Sequence, residues 1–389
     1  MKYNFDEIVD RTNTSCIKWD YVKDFLGEEN VLPMWVADMD FKTPDFIIKA
    51  VKERASHEIF GYSMRPPGYY QSIVDWVKVR HGWKIEKDWI VFCPGIVPAV
   101  NLAVLAFTQP GDEIIVQPPV YFPFFNAVTD HKRKLVYNQL KIENGKYLMD
   151  FNDMKMKITS RTKMIIISNP HNPVGRAWNQ DELTELAEIC LKHNILVLSD
   201  DIHSDLVFKP NRHCVMANLS SKIADQTLTM MAPSKTFNLA GMSTSSVIIS
   251  NPELRKSFKS TLDSFHIGLG NIFGAIASEA AYSHGHDWLN QMMDYVKGNV
   301  DYVDAFLKLH LPHVSMIQPE ATYMIWLDFR KLNLSRKELN ELILKKARLG
   351  LNDGEVFGPG GEGFQRMNLA CPRRYVESAM NQLKAAFVQ

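Results

Sequence analysis

KMIIISNPHNPVGRAWNQDELTELAEICLKHNILVLSD, residues 163–200, carries the pattern that decides the fold. It opens on a short apolar run, KMIIIS (163–168), of strand length and β-branched content, closed by two Asn-Pro steps and a glycine. Residues 181–193 change period: Leu183, Leu186, Ala187, Cys190 and Leu191 fall on one face at helical spacing. Asn179, with Glu182 three residues later, is a start signal for that helix. ILVLSD (195–200) is a second buried strand. A strand, a helix of this length and another strand imply a crossover connection and parallel pairing.

The same alternation extends outward. Upstream, WIVFC (89–93) reads as a strand ending at Pro94-Gly95, a helix follows over about 97–107, QPGDE (109–113) is a turn and IIVQ (114–117) the next strand. Downstream, TLTMM (227–231) is another. The expected architecture is α/β, a largely parallel sheet with helices on both faces. Ligands of such sheets bind outside the carboxyl ends of the strands, and Gly95, Asn172, Asp200 and Lys235 each lie at or just past such an end. After about residue 290 the texture changes. A long helical pattern (about 272–309) leads to a strand near 322–329, a helix at 335–348, a strand near FQRMNLA (364–370) and a terminal helix. This predicts a smaller α+β domain completed by the N-terminal segment. The expected division is 1–45 (joining the small domain), 46–288 (large domain) and 289–389 (small domain).

Composition narrows the function classes. The 389 residues are 46% hydrophobic and 23% charged, enough for a large core. Lys+Arg and Asp+Glu number 44 each, so no basic excess points to nucleic acid or a membrane surface. Cys16, Cys93, Cys190, Cys214 and Cys371 are scattered, without zinc-site spacing, as in a cytoplasmic protein with reduced thiols. The first 21 residues lack the apolar run of an export signal, and no run approaches the ~18 residues of a membrane span.

Five segments carry chemistry. In Met231-Ala-Pro-Ser-Lys-Thr-Phe-Asn-Leu-Ala-Gly241, Lys235 sits in a nearly uncharged stretch. Burial there lowers a lysine pKa and makes the amine a nucleophile; a surface loop lysine is the plain alternative. In Ser199-Asp-Asp-Ile-His-Ser-Asp205, Asp200 directly follows an apolar strand, where a carboxylate needs a partner. A helix cap or a surface carboxylate is the plain alternative. Asp201 and Asp205 read as solvated or structural, and His203 stays ambiguous between ligand and core histidine. In Ser168-Asn-Pro-His-Asn-Pro-Val-Gly175, a rigid loop fixes the Asn172 amide, unless it is an ordinary turn. Cys93-Pro-Gly-Ile-Val-Pro-Ala99 runs into a helix, whose N-terminal N–H groups bind phosphate. Tyr121, in Pro118-Pro-Val-Tyr-Phe-Pro-Phe124, either stacks on a flat ring or is a core aromatic.

Together these segments resemble the fold-type I class I/II aminotransferase-like family, which depends on pyridoxal 5'-phosphate (PLP). KWD (18–20), PMWVADMDF (33–41), FGY (60–62), PGIVPA, PVYFPF, NPHNPVGRAW, SDDIH and APSKTFNLAG resemble its cystathionine β-lyase-type C–S lyase branch. The resemblance implies an aspartate aminotransferase-like fold: a three-layer α/β/α PLP-binding domain plus a small α+β domain. It implies that Lys235 binds the cofactor as a Schiff base and moves the Cα proton. Asp200 would hold the pyridine N–H, Asn172 the phenolic oxygen, and Tyr121 would stack on the ring. Gly95, Ile96, Val97 and Ser234 would take the phosphate, with His203 alongside the cofactor. Tyr62 would reach the phosphate and substrate of a neighbouring subunit, making a homodimer with shared sites. Arg366 would clamp the substrate carboxylate, with Asn172 and the backbone near Ala37 and Asp38 on the substrate side.

The chain departs from the general aminotransferase pattern twice. Asp200-x-x-His203 replaces Asp-x-x-Tyr, and Ser243 stands where a phosphate-binding arginine is usual. Both resemble the lyase branch, but the second leaves no cation assigned to the phosphate. Asp201 stands where the branch usually has glutamate. The implied activity is α,β-elimination from a sulfur amino acid such as cystathionine, giving a thiol, pyruvate and ammonia. An aminotransferase and a regulatory binding protein of the same fold remain the alternatives. No metal, nucleic-acid or membrane partner is expected.

Overall fold

The computed structural model describes residues 2–387. Its main sheet has seven strands: β1 (Ile90–Cys93), β2 (Glu113–Val116), β3 (Lys134–Tyr137), β4 (Thr162–Ser168), β5 (Leu196–Asp200), β6 (Thr227–Met231) and β7 (Ser245–Ile248). Their spatial order is β1-β7-β6-β5-β4-β2-β3, and every pairing is parallel except those of β7. Strand β4 shows why the sheet is a middle layer. Met164, Ile165, Ile166 and Ile167 are all fully buried. Met164 and Ile166 join one apolar cluster and Ile165 and Ile167 another, because successive side chains point to opposite faces. The first cluster packs against helices Ile96–Phe107 and Pro252–Ser264, the second against Gln180–His193.

The helix Gln180–His193 begins at the expected place. Asn179 Oδ1 accepts the Glu182 N–H, and the Glu182 carboxylate accepts the Asn179 N–H, both at 2.9 Å. The helical pattern over 272–309 is two helices, Ile272–His284 and His286–His310. The break falls at Gly285, where an added Cβ would lie 2.2 Å from the Phe237 ring and 2.4 Å from the Ala281 carbonyl. Apolar periodicity runs through this point unchanged, and Gly285 caps the first helix where a residue with a Cβ would meet Phe237. The helix expected at 335–348 is α-helical over Arg336–Glu341 and widens to a π turn over Leu342–Lys346.

A second, antiparallel sheet contains β8 (Ser315–Ile317), β9 (Met324–Asp328), β10 (Asn352–Asp353) and β11 (Phe364–Asn368), in the order β8-β9-β11-β10. The N-terminal segment lies against it. Leu32–Pro33 pairs in parallel with Leu349–Gly350, the Asn368 N–H donates to the Met34 carbonyl at 2.8 Å, and the Asp40 N–H to the Ala370 carbonyl at 2.9 Å. This brings WVADMDF beside the carboxyl edge of the main sheet. Among the described residues no helix is long and apolar enough to cross a membrane.

Candidate active site

Four strand ends open onto one cavity. Gly95 follows β1, Asn172 follows β4, Asp200 closes β5 and Lys235 follows β6, and all four line it. Ile96, Val97, Tyr121, His203, Ser234 and Ala37 line it as well. The site is thus a product of sheet topology: parallel strands deliver their carboxyl ends to the same edge.

Lys235 lies on the single turn Pro233–Thr236. Its Nζ donates to the Ala37 carbonyl at 2.6 Å. Burial, then the Arg366 charge, lower its pKa to about 8, against the pull of Asp38 and Asp200. Asp200 is displaced the other way. Burial and the neighbouring Asp201 raise it to about 7, although Oδ1 accepts the Ile202 N–H at 3.1 Å and Lys235 favours its charge. An amine and a carboxylate each held far from its ordinary pKa in one cavity mark a site awaiting a charged or polar ligand.

Arg366, on β11, does not itself line this cavity and joins it through Asn172, which does. Nη1 donates to Asn172 Oδ1 at 2.9 Å, and Nη2 to Asn352 Oδ1 at 2.6 Å and the Trp35 carbonyl at 3.0 Å. Its Nε is buried without a partner among the described residues. The guanidinium lies 4.8 Å above the Phe357 ring. Burial lowers its pKa to about 10, so it remains a cation at neutral pH. Its bond to Asn172 Oδ1 turns that amide's NH₂ away from Arg366, leaving a donor for a ligand. His203 is buried, its Nδ1 has no partner, and burial, then Lys235 and Arg366, lower its pKa to about 3. It is a neutral imidazole in the cavity wall.

The anion-binding end is built from uncharged groups. Gly95 caps the helix Ile96–Phe107, and Ser234, Ser243 and Thr244 add hydroxyls. Apart from Lys235, no lysine or arginine lines the cavity among the described residues. Backbone N–H groups and the helix dipole supply its positive potential. The donor set fits PLP: an anion pole, a carboxylate, an amide donor and an amine of lowered pKa around one space.

Three sequence expectations meet the structure differently. Asp38 is absent from the cavity wall, because its carboxylate bonds Arg11 (2.6 Å) and its carbonyl accepts from Asn368; only Ala37 of that pair faces the cavity. Tyr62 is 98% exposed and outside the cavity of its own chain. Asp201 and Asp205 are structural, and the solvated alternative falls away. Asp201 bonds Ser199 and, at 2.7 Å, His213 Nε2, while Asp205 accepts from Trp76 Nε1 at 3.0 Å and Thr236 Oγ1 at 2.8 Å. Sequence reasoning missed Asn352, Phe357, Tyr323 and Thr244. Asn352 and Phe357 reach Arg366 only through the pairing of β10 with β11 and the turn between them, which leave no local pattern.

A mostly parallel sheet with a cavity at its carboxyl edge, and a second, antiparallel sheet whose Arg366 bonds the cavity residue Asn172, define an α/β protein of two main sheets. Residues 29–383 match the family Aminotransferase class I and II, and the chain belongs to it. It is 43% identical over 384 residues to cystathionine beta-lyase PatB of Bacillus subtilis (strain 168), covering 98% of this chain and 99% of that one. A PLP-bound protein of Clostridium difficile 630, provisionally assigned as an aminotransferase, superposes with a TM-score of 0.97 at 42% identity, covering 99% of this chain and 100% of that one. The PLP-bound C–S lyase from Staphylococcus hominis does so with a TM-score of 0.93 at 34% identity, over 100% and 99%.

Proposed function

We propose that this chain is a PLP-dependent carbon–sulfur lyase that eliminates a thiol from a sulfur amino acid and releases pyruvate and ammonia. The observation that carries the reading is the 43% identity, across nearly both full lengths, to a cystathionine beta-lyase. The convergence of Lys235, Asp200 and Asn172 on one cavity, with Arg366 bonded to Asn172, supports it.

When bound, PLP supplies an electron sink for charge at Cα. Lys235 would hold the cofactor through its amine and, once free, would take the Cα proton; an amine pKa near the working pH suits both tasks. Asp200 would pair with the ring nitrogen and favour its protonated form. Asn172 would donate to the phenolic oxygen, and Tyr121 would stack on the ring. Gly95, Ile96, Val97 and Ser234 would hold the phosphate, with His203 as a neutral wall. Arg366 takes the substrate carboxylate beside Asn172 and Ala37. Tyr62, fully displayed on its own chain, completes the cavity of a second copy, so the working unit is a homodimer. Residues 46–288 form the cofactor-binding unit, and 1–45 with 289–389 the smaller one. The five unpaired cysteines suit a reducing cytoplasm.

Aminotransfer is the second reading, favoured by the assignment of the Clostridium difficile neighbour. The same residues serve both until the Cα proton has left. Purified protein offered cystathionine, cystine and ordinary amino acids, with and without 2-oxoglutarate, separates them. The expected result is pyruvate and ammonia from the sulfur substrates without any acceptor, reduced at least about 10³-fold in Lys235→Ala. Amino transfer that strictly requires 2-oxoglutarate, with no pyruvate, overturns the lyase reading.

A further inference from the structure

Two donors meet on one oxygen beside the cavity. The Ala37 carbonyl accepts Lys235 Nζ at 2.6 Å and the Tyr323 hydroxyl at 3.2 Å. Tyr323 has no part in the roles above. It is fully buried, and burial, then Asp38, raise its pKa against the pull of Arg366, so it is a neutral, permanent donor. The backbone aims it with an uncommon step. Thr322, immediately before it, is buried at φ 70°, the left-handed region that β-branched residues rarely enter. The Thr322 N–H bonds the Leu206 carbonyl at 2.6 Å, and the Tyr323 carbonyl accepts the Leu369 N–H at 2.8 Å. A strained residue fixed from both sides persists only where its surroundings over-determine it.

The segment bearing Ala37 is fixed just as firmly. The carbonyls of Val36 and Asp38 both accept from Asn368 Nδ2, at 2.7 and 2.5 Å. In this segment the flanking carbonyls turn to Asn368 and the middle one turns to Lys235. Whenever the lysine amine is engaged elsewhere, Tyr323 is the donor that still satisfies that carbonyl.

We propose that Tyr323 is a positioning residue: its hydroxyl keeps the Ala37 carbonyl aimed at Lys235 Nζ, making that carbonyl the resting acceptor of the lysine amine each time it is released. The proposal rests on the reading of Lys235 given above. Tyr323→Phe keeps the ring and deletes the hydroxyl. In cofactor-free protein, the rate of PLP capture, followed by absorbance across pH, reports how much Lys235 is neutral. The midpoint falls by about half a pH unit in Tyr323→Phe, because the Ala37 carbonyl is no longer held in line and the charged amine keeps a weaker hydrogen bond to it. In the reloaded enzyme kcat falls about tenfold with KM within about twofold. Thr322→Gly retains the hydroxyl but frees the backbone that aims it, and lowers the midpoint in the same direction by less. A midpoint unmoved in both variants, or raised in Tyr323→Phe, overturns the proposal whatever kcat does. Lys235→Ala measured alongside separates the two levels. If PLP is still captured there and locked by borohydride, the lysine assignment itself falls. If capture is lost there while the Tyr323→Phe midpoint is unmoved, only the role of Tyr323 falls.

Discussion

The chain buries two lysines in opposite ways. Lys18 is 1% exposed, bonds Asp40 Oδ2 at 2.6 Å and lies 3.7 Å from Asp38 Oδ1, while Arg11 bonds both carboxylates and Trp19 Nε1 donates to Asp40. Two cations face two anions. Burial works against the charge on Lys18, but Asp40 and Asp38 overcome it and its pKa is raised; burial likewise opposes the charge on Asp40, and Lys18 overcomes it so that its pKa is lowered. Lys235 has no carboxylate within salt-bridge distance among the described residues, only a carbonyl, and burial with Arg366 brings its pKa down. The first arrangement spends its electrostatics on holding the N-terminal segment against the second sheet. The second leaves an amine and a carboxylate hydrogen-bonded but without a salt-bridge partner among the described residues, which is what a site must do to gain from binding a ligand that pairs with both.

The sharpest way to break this contrast is Asp40→Ala. It strands Lys18 in the interior beside the more distant Asp38, and is expected to cost about 3–5 kcal/mol, read from the urea midpoint. A loss below about 1 kcal/mol would show that the cluster is not a working ion pair. Asp200→Asn is expected to do the reverse. Its ordinary pKa is 3.8 and its folded value about 7, so the folded state binds the proton more tightly. Cofactor-free wild type therefore loses stability as pH rises from about 4 to 7, where the unfolded carboxyl has ionised and the folded one resists. Asp200→Asn removes that slope and leaves the protein as stable or more so at pH 7, while elimination drops about 100-fold or more. An unchanged stability slope in this variant would mean that the carboxylate is better solvated than its surroundings indicate. Arg366→Ala gives the smallest of the three effects. KM is expected to rise about tenfold or more with kcat within a fewfold, because uniform binding of the substrate carboxylate is lost. A fall in kcat at constant KM removes Arg366 from the clamp role.

Much of the site was legible because it follows from local rules. Gly95, Asn172, Asp200 and Lys235 each stand where a strand pattern stops, and parallel strands bring such stops to one edge. The capping pair Asn179–Glu182 fixed the start of the helix between β4 and β5 before any tertiary contact was known. Gly285 shows the limit. The periodicity of 272–309 does not change there, and the reason a residue without a Cβ is needed lies in Phe237, 48 positions away in the chain. Asp38 shows the same limit within a motif: WVADMDF places Ala37 and Asp38 side by side, but the bend over 36–38 leaves one at the cavity and the other bonded to Arg11.

By itself the order of residues determined the layers, the edge of the sheet that carries the site and the types of group gathered there, because hydrophobic period and turn chemistry act between near neighbours. Folding in three dimensions alone decided which lysine is paired and which is left with a carbonyl, which face of Asn172 meets Arg366, and that Tyr323 and Lys235 share one acceptor. Those outcomes depend on distances of a few ångströms between segments up to 286 positions apart, as between Ala37 and Tyr323, and charge and hydrogen bonding fall off too steeply with distance for any local pattern to encode them.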